Sequence, residues 1–360
     1  MLSTTKGLPM KWKNLLYGLA LTLFLVPASS ASLYSQSSFY QGKTITVIVS
    51  SDAGGTVDMR VKALTPVFRK YIPGNPIIVT EYMPGGGGRK AANYVYRSVR
   101  PDGLTIGSMS TTLVAAAVLG ESGVLYNVDR FSYLGAPDGS TQHVFLTRKE
   151  LGLSTLDKLR TTSGIRIGAQ SIGHQIYIVG RLFAFFIGLK EPKFVVGYSG
   201  PEIDLALNRG EVDARAHLVG TVMQRTPELV EKGLADFHAL LETPKGNRHP
   251  RFAHLPELES FAKSEKERRL LSLQRTLRLT GSTLILPPGT AKGPAEILQA
   301  AIRKTFKDPA FLEAYRKATG EDATPVMPEE LQRIVKEVPR DPEVVGLFNR
   351  IAGPDSLPDR

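Results

Sequence analysis

The chain has 360 residues, 42% of them apolar and 22% charged, with a formal net charge of +11. That balance belongs to globular proteins and excludes wholesale disorder, and the length suffices for two domains with a sizeable core in each. Cysteine is absent, which excludes disulfides, thiol catalysis and cysteine metal sites.

Lys6, Lys11 and Lys13 come before and within the approach to an apolar stretch at residues 15–26, and "PASSAS" then supplies small residues. This order predicts a secretory signal peptide over residues 1–31, cleaved near Ser30 or Ala31, with an apolar part too short for a membrane span. Its loss removes three lysines and no acid, taking +11 to +8. Lys and Arg are otherwise scattered, so with export the basic balance points to small anionic partners and not to nucleic acid. An exported chain without cysteine suits a bacterial periplasm. No later segment offers the roughly 18 uninterrupted apolar residues of a membrane helix, so the remainder is expected to be soluble.

From Thr44 strands and helices alternate. "TITVIVS" is a β-branched run, "VDMRVKALTPVFRKYI" has helical periodicity with a kink expected at Pro66, and "NPIIVTEY" is a second strand. A helix is predicted over residues 89–100, with Ala91, Val95 and Val99 on one face, and "LTIGSM" is a third strand. This β-α-β-α-β order implies parallel strands with right-handed crossovers. The pattern restarts near residue 143 with "GIRIGAQ", the apolar helix "QIYIVGRLFAFFIGL", "KFVVGY", "PEIDLALNRG" and "VDARAHLV". A charged helix, "KSEKERRLLSLQR", precedes the strand "LTGSTLILPPGT", and helices follow at residues 295–306, 309–318 and 328–338. Two α/β lobes joined by crossing strands would hold a ligand between them.

Two strands end in glycine-rich turns that open helices: "SSDAGGTVDMR" at residues 50–60 and "EYMPGGGGRKAANYV" at residues 81–95. Such turns aim unpaired helix N–H groups and the positive end of the helix dipole beyond the sheet, where they favour an anion. A Cβ would keep a ligand off the backbone, as at Gly87, and these turns often need positive φ. The competing explanation is a pair of tight structural turns.

Named catalytic and nucleotide motifs fare worse. "GGGRKA", residues 86–91, satisfies G-x-G-x-x-A, but the next acid, Asp102, follows a helix instead of ending the next strand. "GKT" at residues 42–44 lacks the leading glycine of a phosphate loop, and "GYSGP" at residues 197–201 has Pro201 where a nucleophile elbow needs glycine. Six histidines occur and none lies in H-E-x-x-H, so no metal or cofactor is expected. Five are expected to be ordinary surface or core residues. His174 stands apart because "SIGHQ" joins a strand to a helix in the second lobe.

Six motifs in order carry a resemblance. "AGGTVD", "MPGGGGRKAANYV", "RPDGLTIG", "GYSGPEIDLALNRGEVDA", which holds two of them, and "LILPPGTAKGPAEILQAAIRKTFKDPAFLEAYRKATG" resemble segments of the periplasmic substrate-binding proteins of tripartite tricarboxylate transporters, the TctC or Bug family. The likeness runs over residues 43–351. It implies an α/β, two-lobed periplasmic-binding-protein (flytrap) fold, each lobe a mainly parallel sheet flanked by helices. Lobe I would comprise residues 32–142 and 278–360, and lobe II residues 143–277. It implies a monomeric, non-catalytic receptor that captures a small carboxylate through backbone groups and ordered water, then delivers it to the membrane permease subunits. An extracytoplasmic sensor feeding a histidine kinase would use the same fold, and a nucleotide-dependent enzyme is the more distant alternative.

The ligand would meet Ser51, Asp52, Ala53, Gly54, Gly55 and Asp58 on the first loop, and Pro84, Gly85, Gly86, Gly87 and Gly88 on the second. Ser171, Gly173, His174, Tyr198 and Asp213 of the second lobe would close over it. The chain departs from the family at Ser50 and Ser51, where Pro-Phe is usual, and at Asp52, where a small or apolar residue is usual. Asp52 would repel a carboxylate unless it faces solvent, pairs with Arg89 or Lys90, or meets a ligand donor. Asp58 is expected chiefly as a first-turn partner of the helix. Tyr82 holds the usual asparagine position of the second motif, and residues 255–276 exceed the usual length.

Overall fold

The computed structural model describes residues 1–2, 39–170 and 172–360. All but the first two residues of the expected signal peptide, and Ser171, lie outside the described residues.

The first half begins with β1 (Thr44–Val49), α1 (Thr56–Tyr71), β2 (Ile77–Tyr82), α2 (Arg89–Arg97), β3 (Thr105–Ser108), α3 (Thr112–Val118) and β4 (Ser132–Gly135). β1 lies between β2 and β3, parallel to both, as alternating strand and helix demand. Val57, Val61, Leu64 and Phe68 recur at helical spacing on α1 and bury against the sheet. The helix runs unbroken through Pro66.

The chain then crosses to β5 (Thr141–Arg148), α4 (Leu156–Thr161), β6 (Arg166–Gly168), α5 (Gln175–Ile187), β7 (Lys193–Val195), α6 (Gly200–Arg209), β8 (Ala214–Leu218), α7 (Val219–Arg225), α8 (Glu228–Glu231), β9 (Ala235–Thr243) and α9 (Glu265–Leu279). It returns as β10 (Leu284–Leu286) and ends in α10 (Lys292–Thr305), α11 (Pro309–Thr319), α12 (Pro328–Glu337) and α13 (Pro342–Ala352).

The two five-stranded sheets have matching orders, β2-β1-β3-β10-β4 and β7-β6-β8-β5-β9. The two-lobed α/β architecture agrees with the sequence, and each sheet is mainly parallel, with one reversed strand that makes it mixed. The reason is the crossing strands: β10 enters between β3 and β4 antiparallel to both, and β5 enters between β8 and β9 in the same manner. Residues 342–360, grouped above with lobe I, touch both halves: Asn349 Nδ2 donates to the Leu119 carbonyl at 3.2 Å, while several contacts reach the second half. α13 packs on α5 and α9, Arg181 donates to the Ile351 and Asp355 carbonyls, and Arg360 pairs with Glu267.

Three segments meet where the lobes join. Residues 136–139 pair with residues 324–326 through backbone bonds such as Ala136 N to Val326 O at 3.0 Å and Gly139 N to Thr324 O at 2.7 Å. Ser282 N donates to Asp138 Oδ1 at 2.9 Å. Gly281 has φ +50°, and a Cβ there would stand 2.2 Å from the Asp138 carbonyl oxygen. Because that obstacle is backbone, Gly281→Ala is expected to cost roughly 3 kcal/mol in urea denaturation, from strain plus displacement. A loss under about 0.5 kcal/mol would show that the crossing segments can part freely.

Candidate functional site

Adjacent parallel strands deliver their C-terminal loops to one edge of the first sheet, and three loops are knitted together there. Ser50 Oγ accepts from Ser110 N at 2.9 Å, Ser110 Oγ donates to the Gly87 carbonyl at 3.3 Å, and Thr112 Oγ1 donates to the same carbonyl. The loop after β3, with Ser110, Thr111 and Thr112, is therefore a third member that the glycine pattern did not reveal. Its signal was a plain Ser-Thr-Thr run after a strand.

The second loop's glycines are set by conformation. Gly85, Gly86, Gly87 and Gly88 all have positive φ. At Gly87 an added Cβ would have only Arg89 Nη1 within reach, at 3.8 Å, so φ +62° is the obstacle there and not crowding. At Gly88 it would stand 2.8 Å from Ser110 Oγ, which makes this the point of closest packing between loops. Pro84 leads into this turn. In the first loop Gly55 N donates to the Asp52 carbonyl at 3.1 Å, while Ala53 and Gly54 are exposed.

Asp58 is fully buried and its carboxylate is fully used. It accepts from Gly54 N at 2.7 Å, Lys62 Nζ at 2.7 Å and Tyr82 OH at 2.9 Å. Burial alone would push this carboxyl up, yet the bonds from Lys62, Gly54 and Tyr82 outweigh it and hold the group below the usual carboxylate range. Asp58 thus staples the first loop to its helix and, through the Tyr82 hydroxyl, to β2. Asp52 is exposed and forms no ion pair among the described residues, and Arg89 pairs with Glu121 instead. Ser51 Oγ bonds the Asp52 carbonyl at 3.2 Å.

In the second lobe the turns before α5 and α6 are neighbours, Gly197 N donating to the Gln170 carbonyl at 2.6 Å. His174 caps α5, its Nδ1 accepting from Ile176 N at 3.2 Å, and burial lowers its basicity. Gly173, at φ +80°, forms the exposed turn before it. Tyr198 OH donates to Glu211 at 3.3 Å. Asp213 is held by Arg166 Nη2 at 2.6 Å and Arg166 Nε at 2.9 Å. It sits just before the start of β8, a strand's length from Leu218 at the cleft end, so its carboxylate is a strap between β6 and β8 and not a ligand contact.

A cavity of about 240 Å³ lies between the lobes. Val57, Arg60, Ser110, Thr111 and Ser282 line it from the first lobe, and His143, Gln175, Leu218 and Arg278 from the segments opposite. Of these the sequence reading had singled out none for a ligand role. Burial, with Arg278 and His217 adding to it, pushes the His143 imidazole down to about 3, so it is neutral at pH 7. The polar lining is thus mainly hydrogen-bond donors and positive charge, suited to holding an anion.

No protein-family model matches the chain, and no curated protein matches it. Solved structures do. The periplasmic binding protein BugD is similar at 20% identity and TM-score 0.57, covering 87% of this chain and 99% of its own. A ligand-free TctC solute-binding protein from Polaromonas is similar at 16% identity and TM-score 0.63, covering 87% and 98%. MatC from Rhodopseudomonas palustris, with bound malate, is similar at 20% identity and TM-score 0.54, covering 86% and 99%. At these identities the likeness establishes the fold: the chain has the two-lobed fold of periplasmic solute-binding proteins.

Proposed function

We propose that this chain is a periplasmic, non-catalytic solute receptor of the TctC or Bug kind. It binds a small carboxylate between its lobes as a monomer and delivers it to the membrane permease of a tripartite tricarboxylate transporter. The observation that carries this reading is the interlobe cavity, where the first turn of α1 and the loop after β3 face His143, Gln175 and Arg278. Its polar groups offer hydrogen bonds and charge without a nucleophile set beside a base, which suits capture and release over turnover. MatC, of the same fold, holds malate. Ligand would shift an equilibrium between open and closed lobes about the three crossing segments.

A thermal-shift screen of residues 32–360 against mono-, di- and tricarboxylates, amino acids and nucleotides checks this. A ligand at about 100 times its dissociation constant adds about 2.7 kcal/mol of stability. At least one carboxylate is expected to raise the midpoint. A response to nucleotides alone would sink the receptor function.

A further inference from the structure

The backbone passes between the lobes a further time at residues 338–341, where two neighbouring residues are pinned to opposite sides. Arg340 forks onto Asp129, in the turn before β4, through Nη1 and Nη2, both at 2.8 Å. Asp341 caps α13 by accepting from Glu343 N at 2.9 Å, and its second oxygen accepts from Arg269 Nη2 of α9 at 2.7 Å. Lys266, also on α9, pairs with Glu343. Pro339 and Pro342 bracket Arg340 and Asp341. Because proline fixes its own φ and restricts the residue before it, Val338 and Asp341 are both constrained and rotation is concentrated around Arg340.

The helices on either side of this joint belong to different bodies. α12 packs on β4 and on residues 128–130, whereas α13 packs on α5 and α9. Past α13, Tyr177 OH of α5 donates to the Gly353 carbonyl at 2.8 Å, and Arg181 and Arg360 tie down the residues that follow. α9 touches α12 as well, which places it along the seam, where a turn displaces little. Two contacts lie away from the seam. Asn349 Nδ2 of α13 donates to the Leu119 carbonyl of the first lobe at 3.2 Å, and Gln224 Nε2 of α7 donates to the carbonyl of Gly320, just past α11. Both amides are on exposed residues, so the fold does not depend on them.

We infer that α13 travels with the second lobe, that the lobes turn about an axis through Arg340 and the crossing segments at Asp138, and that Asn349 and Gln224 latch them shut. This rests on the open and closed equilibrium of the receptor reading above. Asn349 stands about 12 Å along the helix from Asp341, at a rise of about 1.5 Å per residue. A turn of about 15° moves its amide by as much as about 3 Å, which parts a hydrogen bond, while the Arg340 fork at the axis stays made.

Pulsed electron–electron double resonance on the cysteine-free chain tests this with no ligand present. Spin labels at Lys90→Cys, Lys193→Cys and Arg350→Cys, taken in pairs, mark the first lobe, the second lobe and α13, and all three positions are exposed. Introducing Gln224→Ala with Asn349→Ala is expected to shift or broaden the distances from position 90 to positions 193 and 350 by about 3 Å or more. The distance from 193 to 350 should keep the width it has with both amides in place. Broadening between 193 and 350 with none between 90 and 350 would assign α13 to the first lobe and overturn the hinge. Three unchanged distances would overturn the latches. Either failure leaves the receptor standing, because only the carboxylate screen decides that reading.

Discussion

Asp58→Ala is expected to lower stability by about 3 kcal/mol and to abolish carboxylate binding. Three donors converge on this buried carboxylate, and its removal leaves the Gly54 N–H and the Tyr82 hydroxyl unpartnered at the base of the first loop. Hydrogen bonds to a charged group contribute about 1.5–3 kcal/mol each, and the total is reduced because Gly54 and Tyr82 are exposed and water replaces the carboxylate there. Lys62→Ala is the matching control, because its ammonium is mostly in water and its attraction to Asp58 is screened; it should cost far less. Urea denaturation of both variants separates the cases. If Asp58→Ala is no less stable than Lys62→Ala, the loop is not held by this carboxylate.

The second large effect is acid sensitivity that begins near neutrality. His143, His217 and His238 are 3%, 3% and 4% exposed. Burial is the main cause pushing them down to about 3, 4 and 4. An unfolded histidine takes its proton near pH 6.5. As pH falls through that value the unfolded state therefore gains protons that the folded state refuses, and stability drops until the folded values are reached. Each site contributes about 1.4 kcal/mol per pH unit within this window, so the three together remove about 5 kcal/mol between pH 7 and pH 5. The depressed carboxylates, such as Asp58 and Asp204, act in the same direction but only below the ordinary carboxylate range. Denaturant midpoints at pH 7, 6 and 5 measure the slope; a flat profile would mean that the imidazoles are not held neutral.

The parallel parts of the fold were legible because β-branched runs and glycine turns are local signals. β1, β2 and the helices after them fall where "TITVIVS", "NPIIVTEY" and the two glycine loops place them. β4, β5 and β9 escaped notice, and in the latter two buried polar residues break the apolar pattern. His143 and Thr147 lie on β5, and His238, Glu242 and Thr243 on β9, with partners such as Thr147 Oγ1 to His238 Nε2 at 2.9 Å. Local sequence cannot announce a partner so distant. The same limit applied to the cleft. The glycine loops lie at the edge of the first sheet that borders the cavity, yet Arg60, His143 and Arg278 are brought together only by the crossing segments. His174 drew attention through its place between strand and helix and became a helix cap, while His143, among those expected to be ordinary, lines the cavity.

The insertion of β10 between β3 and β4 sets a timetable for folding. β4 ends at Gly135, but the strand that must lie beside it begins only at Leu284. During synthesis the first sheet therefore stays incomplete until almost the whole of the second lobe has been made. Pairings so distant along the chain are slow to form, because loop closure must precede the contacts that reward it. Under the periplasmic placement proposed above, such lateness would keep the polypeptide translocatable for longer, with its two strand edges as the surfaces that need guarding in the meantime.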